Sequence, residues 1–145
     1  MYKILEQNGV ENENIDGGAF NNFAAGGRDG IIAGVLTECA LAATGNSISI
    51  SSGLLIICGI RVKITSAEVL TISVPPVSPT SYQIIAEVTL QSNGDMAVSF
   101  YLRSPAALQQ DMLYSQGYGT YQAEIGSFVY NPDGSITNIV RTIDV

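Results

Sequence analysis

The pattern of apolar residues changes abruptly within residues 45–64, and this change constrains the fold more than any other feature. From Ser47 to Ser51, serines alternate with isoleucines, which is the period of a strand with one buried and one solvated face. The run 54–58 that follows is apolar at every position, so a strand here needs cover on both faces. An antiparallel domain of 145 residues usually covers one face of its sheet. We therefore expect a second copy of the chain to supply the other cover.

The composition indicates one domain that makes extensive contacts with other protein chains. A length of 145 residues is enough for one domain with a sizeable core. Hydrophobic residues make up 46% of the sequence and charged residues 13%, which is about half the usual charged share. We expect a chain so poor in charge to place much of its surface in assembly contacts.

Charge and hydropathy argue against nucleic acid and membrane as partners. The 6 basic residues are scattered and outnumbered by 13 acidic ones, whereas nucleic-acid binders cluster Lys and Arg to replace phosphate counterions. No stretch reaches 18 uninterrupted apolar residues, so no membrane span is expected. The first residues lack the cationic and apolar regions of a signal peptide.

The chain divides into a polar segment and one folded domain. Residues 1–18 are rich in Asn and Glu and are expected to form an arm or linker. Residues 19–145 are expected to form a single domain. Within it, residues 19–27 predict a short helix with Phe20 and Phe23 on one side, ended by two glycines.

The remaining sequence predicts about eight antiparallel strands and hence a mainly β fold. The expected strands are 30–38, 47–51, 54–64, 69–74, 82–91, 96–102, 120–130 and 135–145. The second and third of these are expected to pair around Ser52-Gly53, and Asn93-Gly94 and Asp133-Gly134 mark two further hairpin turns. One helical turn is expected at residues 105–110. This pattern predicts an antiparallel β-sandwich or jelly-roll-like domain.

The chemistry of the side chains argues against an enzyme. The chain has no histidine, which removes the commonest general base and most zinc sites. A carboxylate pair remains conceivable among Glu38, Glu68, Glu87 and Glu124, but Glu87 lies on the polar face of an alternating strand, where a solvated charge is expected. Phosphate-binding and calcium-binding loop patterns are absent from the sequence. We expect no catalytic residue, no cofactor and no metal site.

The two cysteines are expected to be buried free thiols. Cys39 and Cys58 lie in apolar strand surroundings, and the chain carries no secretion signal. Two thiols without histidine leave a metal half coordinated, and no neighbour in the sequence would lower the pKa of Cys39.

Three tyrosines form the candidate ligand surface. Tyr114, Tyr118 and Tyr121 fall in a loop with two glycines, and rigid amphipathic side chains on such loops can contact sugars or proteins. The alternative is that they fill the edge of a sheet and form hydrogen bonds through their hydroxyls. The absence of Trp weakens the sugar interpretation.

Several segments, in order along the chain, resemble one family of phage proteins. Residues 27–34 (GRDGIIAG), 47–53 (SISISSG) and 56–62 (IICGIRV) are similar to the upper-baseplate and tail-fibre N-terminal modules of phages that infect Gram-positive bacteria. Residues 121–126 (YQAEIG) and 133–141 (DGSITNIVR) resemble the family's late segment. The ending Arg-Thr-Ile-Asp-Val departs from the terminal Asp-Thr-Arg of that family.

The resemblance implies a virion structural protein that is assembled in the bacterial host cytoplasm and located in the virion. It implies a homotrimer that connects the tail baseplate to a receptor-binding element or forms its shaft. The implied partners are further copies of the chain, other tail or baseplate proteins, and a host cell-surface glycan if the protein itself contacts the receptor.

The apolar pattern and the family resemblance both predict an oligomer, and the apolar pattern supplies the candidate interface. Its residues share an apolar side chain in a segment expected to need a second cover, and they are Phe20, Phe23, Ile31, Ile32, Leu55 and Ile57. Two alternatives remain open. One is a monomeric glycan-binding β-sandwich that uses the three tyrosines, and the other is a head decoration or fibre protein.

Overall fold

A computed structural model describes the backbone of residues 29–142, with the side chains of Tyr114 and Ser115 left outside the description. This part of the chain is mainly β, with antiparallel sheets and one short helix. The elements are β1 (Gly30–Ile31), β2 (Leu41–Thr44), β3 (Ser47–Ile50), β4 (Gly53–Ile57), β5 (Ile60–Ile64), β6 (Glu68–Thr71), β7 (Thr80–Leu90), β8 (Met96–Arg103), α1 (Leu113–Gln116), β9 (Gly119–Tyr130) and β10 (Ile136–Arg141). The predicted arm 1–18 and helix 19–27 lie outside the described residues.

The strands form three antiparallel sheets around one hydrophobic core. The first sheet has the order β1-β4-β5, the second sheet β2-β3-β6, and the large sheet β10-β9-β7-β8. Each sheet contributes to the same cluster of buried side chains, for example Leu55 from β4, Ile48 from β3 and Ile84 from β7. The predicted mainly β class is therefore confirmed for the described residues.

The alternating segment forms the strand that its pattern predicts. On β3, Ile48 and Ile50 are fully buried, while Ser47 and Ser49 lie on the opposite face. The Ser47 hydroxyl makes a hydrogen bond of 2.8 Å to the Thr71 hydroxyl on β6, its register partner. This face of β3 is thus joined to β6 through the hydroxyl groups of Ser47 and Thr71.

The predicted long strand 54–64 is wrong, because the chain reverses in its middle. Cys58 and Gly59 have positive φ values of 48° and 74°, and they form the turn between β4 and β5. The predicted pairing of β3 with this segment is also wrong. β3 pairs with β2 and β6, and the chain then passes directly into the first sheet, where β4 pairs with β1 and β5.

The predicted strand 30–38 ends after Ile31, and an irregular segment follows. Gly34, Leu36, Glu38 and Cys39 all have positive φ values, at 76°, 54°, 57° and 50°, which no strand can accommodate. The Glu38 carboxylate accepts a hydrogen bond from the Gly34 N–H at 2.6 Å, and this bond closes the turn.

Both predicted C-terminal hairpins are present. In the β7–β8 hairpin the Gln91 N–H donates to the Asp95 carbonyl at 2.8 Å, and Gly94 has a φ of 91°. In the β9–β10 hairpin the Asn131 N–H donates to the Ser135 carbonyl at 2.9 Å. Between the hairpins, the helical turn expected at 105–110 is wrong, and the helix lies later, at α1.

Candidate functional site

A cluster of polar side chains lies on the outer face of the large sheet, the face turned away from the core. Alternation along each strand places them on the same face, and the register between strands brings them together. Gln83 on β7 is opposite Arg103 on β8, and Glu87 on β7 is opposite Gln122 on β9. Tyr101 on β8 completes the set. These five residues are hereafter the polar cluster.

Gln122 is the centre of the polar cluster, and its side chain is only 9% exposed. Its Nε2 donates to Glu87 Oε2 at 2.8 Å and to the Tyr101 hydroxyl at 3.0 Å. Its Oε1 accepts from Arg103 Nη1 at 3.1 Å and from the Gln109 N–H at 2.9 Å. Both ends of the buried amide are therefore satisfied, as a polar group in this position requires.

The polar cluster holds residues 104–111, which we call the strap, across the outer face of the large sheet. Arg103 Nη2 donates to the carbonyls of Ala106 and Ala107 at 3.0 and 3.2 Å. The Ala106 N–H donates to Gln83 Oε1 at 3.1 Å. Further along, the backbone of Gln122 donates to the Gln109 carbonyl at 2.7 Å. The strap thus leaves β8, crosses β7 and reaches β9.

The protonation states of the cluster suit this holding role. Hydrogen bonds from Gln122 and Tyr101 lower the pKa of Glu87, so its carboxylate stays an ionised acceptor. Burial, followed by the hydrogen bond to Glu87, raises the pKa of Tyr101, so its hydroxyl stays a donor. Glu87 is half-buried and its carboxylate binds Tyr101 and Gln122 directly, which the expected solvated charge did not include.

Asp29 joins the first sheet to the large sheet. Its Oδ1 accepts from the Cys58 N–H in the β4–β5 turn at 2.8 Å, and its Oδ2 accepts from the Tyr121 hydroxyl on β9 at 2.8 Å. A carboxylate that accepts from two such donors makes charge-assisted hydrogen bonds, which are stronger than neutral ones.

Asp111 fixes the end of the strap against the start of β9. Its Oδ2 accepts from the Thr120 N–H at 3.0 Å and from Gln109 Nε2 at 3.2 Å. The side chain occupies the space beside Gly119, where an added Cβ would lie 2.8 Å from Asp111 Oδ2. Gly119 also has a φ of 124°, so the site needs glycine for both space and conformation.

The structure places three of the predicted interface residues in the core of a single chain. Ile31 is 3% exposed, and Leu55 and Ile57 are 0% exposed. On the opposite face of β4, Ile56 is buried and Leu54 is half-buried. The expected two-sided cover is present, but the expectation that a second copy must supply it is wrong. One chain provides it, because the three sheets pack around the same core. The sequence pattern alone could not show this packing.

Of the other predicted interface residues, the structure describes Ile32. Ile32 is half-buried, and its N–H donates to the Leu54 carbonyl at 2.9 Å. Phe20 and Phe23 lie outside the described residues.

The candidate tyrosine surface is only partly present. Tyr118 is 54% exposed, whereas Tyr121 is half-buried against the core with its hydroxyl bound to Asp29. The side chain of Tyr114 lies outside the description. For Tyr121, the hydroxyl is bonded as the alternative predicted, but the residue lies on β9, an inner strand of the large sheet, and not at a sheet edge.

Cys39 and Cys58 are both buried free thiols, as expected. Burial raises the pKa of Cys39, an effect that the charge of Arg141 opposes in part. Within residues 29–142, no group of three or more metal-ligating side chains could hold an ion. No helix in this part of the chain is long and apolar enough to cross a membrane.

Sequence reasoning missed the residues that hold the strap and join the sheets. Gln122, Arg103, Asp29 and Asp111 were not singled out, although Gln122 stands at a polar position between apolar ones in the β9 segment. That alternation indicates which face the side chain occupies, but not that a distant strap covers it.

Comparisons of the chain with protein-family models, with curated proteins and with solved structures found no match.

Proposed function

We propose that this protein is a non-enzymatic structural protein of a phage virion, a trimeric module of the baseplate or tail fibre that connects to the receptor-binding apparatus. The observation that carries the proposal is that four of the five resembling segments meet as two pairs of neighbours in the fold. One pair meets in the first sheet, where Gly30 of segment 27–34 is opposite Ile56 of segment 56–62. Residues 121–126 and 133–141 meet in the large sheet, where Gly126 is opposite Arg141.

The proposed architecture is a β-sandwich in which the second sheet lies across the core-facing side of the large sheet. Two contacts at opposite edges support it, since β2 lies close to β10 and β6 lies close to β8. At one edge, Arg141 Nη1 donates to the Glu38 carbonyl at 2.8 Å. Connections of this kind between layers suit a mechanical role, because they resist the sliding of one sheet over another.

The trimer of this proposal depends on the family resemblance and on the low content of charged residues. The packing of β4 no longer supports it, because one chain covers both faces of that strand. The polar arm 1–18 is proposed to dock onto a neighbouring virion protein.

The test is to locate the protein in phage particles. Particles purified from a lysate of a host that carries the gene would be analysed by mass spectrometry and then labelled with gold-conjugated antibody. We expect the protein in the particles and the label at the tail tip. Label on the head would favour a decoration protein instead, and absence from washed particles would contradict a virion role.

A second experiment separates docking from assembly. Removal of residues 1–18 is expected to leave the subunit number unchanged, as measured by light scattering, and to abolish incorporation into particles. Loss of the oligomer in this variant would contradict the proposed division of roles.

A further inference from the structure

The outer edge of β8 presents backbone groups without a partner in the described part of the chain. β8 ends the order of the large sheet, and β7 is the strand paired with it. The Gln91 N–H donates to the Asp95 carbonyl, so these two residues form a hydrogen-bonded pair. Hydrogen-bonded and non-hydrogen-bonded pairs then alternate along the hairpin. The N–H and C=O groups that consequently point away from β7 belong to Met96, Val98, Phe100 and Leu102.

This edge lacks the features that usually prevent strands from pairing with other chains. Natural edge strands carry charges, prolines or bulges, or are covered by another segment. Residues 96–102 contain neither charge nor proline, and the register with β7 is continuous from Met96 to Arg103. The strap does not cover the edge, because it runs from β8 inward over β7.

Apolar side chains stand beside the free edge. Met96 and Val98 are 41% and 39% exposed on the core-facing side of the sheet. Phe100 and Leu102, on the same side, are only partly buried against the core. Pairing with a further strand would extend this apolar strip and cover it.

We propose that β8 pairs in antiparallel fashion with β8 of a second copy of this chain, about a two-fold axis at Ser99. In this register the outward backbone groups face each other, Met96 lies opposite Leu102 of the second copy, and Val98 lies opposite its Phe100. Apolar and aromatic–β-branched cross-strand pairs of this kind stabilise sheets.

The charges at the two ends of β8 favour the same arrangement. The uncharged stretch lies between Asp95 and Arg103, so antiparallel self-pairing places an acid of each copy near a base of the other. Parallel pairing would place Asp95 beside Asp95. Two copies of β8 are therefore complementary in charge when they run antiparallel. A two-fold contact between identical chains requires such self-complementarity.

This inference does not depend on the virion function proposed above. The contact would join two large sheets into one continuous sheet with the order β10-β9-β7-β8-β8-β7-β9-β10. If a trimer forms through another surface, the two contacts together give six subunits when the two-fold axes meet the three-fold axis at right angles.

Disulfide trapping tests the register directly in the full-length protein. In the proposed pairing the two copies of residue 99 are opposite each other at about 4.5 Å between Cα atoms, which a disulfide can span. The two copies of residue 97 are four positions out of register, about 13 Å apart along the strand. Ser99→Cys is therefore expected to form a covalent dimer under mild oxidation, whereas Ala97→Cys is expected to form none through this contact.

The outcomes decide the proposal. Selective trapping of Ser99→Cys over Ala97→Cys, which is also exposed, supports it, whereas equal trapping, or no trapping of either, overturns it. Wild-type protein serves as the control for Cys39 and Cys58.

A second pair of variants tests the contact without introducing a thiol. Val98→Asp is expected to halve the subunit number measured by light scattering, while Val69→Asp, on exposed β6, leaves it unchanged. Circular dichroism verifies that both variants fold. A folded Val98→Asp variant with the wild-type mass overturns the proposal.

Discussion

The hydroxyl of Tyr121 donates to Asp29 Oδ2 at 2.8 Å, although 92 positions separate the two residues in the chain. The other oxygen of the same carboxylate accepts from the Cys58 N–H. A single side chain thus links the β4–β5 turn to β9, and the first sheet to the large sheet.

Removal of this hydroxyl should therefore destabilise the protein. Tyr121→Phe is expected to lower the free energy of unfolding by about 1.5–3 kcal/mol, because a hydrogen bond to a charged group is lost. Urea unfolding measures the change. Tyr118→Phe is the matched control, since Tyr118 is exposed and its substitution should change the stability little. Equal destabilisation by both substitutions would contradict the assigned role of Asp29.

Gln83 and Gln122 should protect different amides of the strap. Gln122→Ala is expected to speed hydrogen exchange mainly at the Gln109 amide, whose N–H donates to Gln122 Oε1. Gln83→Ala should instead act mainly at the Ala106 amide, whose N–H donates to Gln83 Oε1. Each variant is the control for the other. Exchange that rises uniformly along the strap in both would indicate global loosening.

The lowered pKa of Glu87 makes stability depend on pH in the acidic range. Because the folded-state pKa is lowered, the unfolded chain binds the proton more tightly. The stabilisation is therefore complete above the ordinary value of 4.5 and is lost as the pH falls through the folded-state value. Glu87→Gln should weaken the protein at neutral pH and flatten the acid dependence of its melting temperature. Glu68→Gln, at an exposed position, should leave that dependence intact.

Gly53 lies so close to Cys39 that a larger residue cannot be accommodated. A Cβ at Gly53 would overlap Cys39 Sγ and would lie 2.6 Å from its backbone nitrogen. Gly53→Ala is expected to cost about 2 kcal/mol or more in thermal or urea unfolding. Adding Cys39→Ala should recover only part of this loss, because the clash with the backbone remains. Full recovery would show that the thiol alone makes the site tight.

Leu55 tests whether β4 is a core strand of one chain. Leu55→Ala is expected to reduce stability by about 2–5 kcal/mol, as for other fully buried leucines, while the subunit number stays the same. A fall in subunit number with little loss of subunit stability would instead place Leu55 in a contact between copies.

Local patterns were sufficient to predict individual strands and the two C-terminal hairpins. The alternation around Ile48 and Ile50 identified the buried face of β3, and Asn93-Gly94 identified the turn that follows β7. These features depend on neighbours in the chain, which the sequence displays directly.

Some errors concern relations between distant segments, and others concern local turns. The run 54–58 correctly indicated two covered faces, but the source of the cover depends on how three sheets pack together. The turn at Cys58 was missed because a non-glycine residue adopts positive φ there, with its N–H held by Asp29. The polar cluster was missed for a similar reason, since Gln122 and Gln109 meet only after β9 has paired with β7.

The order of the strands along the chain also determines the order in which the large sheet can form. β7 pairs with β8 through a short turn, whereas β9 follows only after the strap and α1. During synthesis, β7 and β8 leave the ribosome first, and the second edge of β7 stays unpaired until β9 emerges. Closure of the larger loop between β7 and β9 is the slower event, so the pairing of these two strands is expected to limit the folding rate.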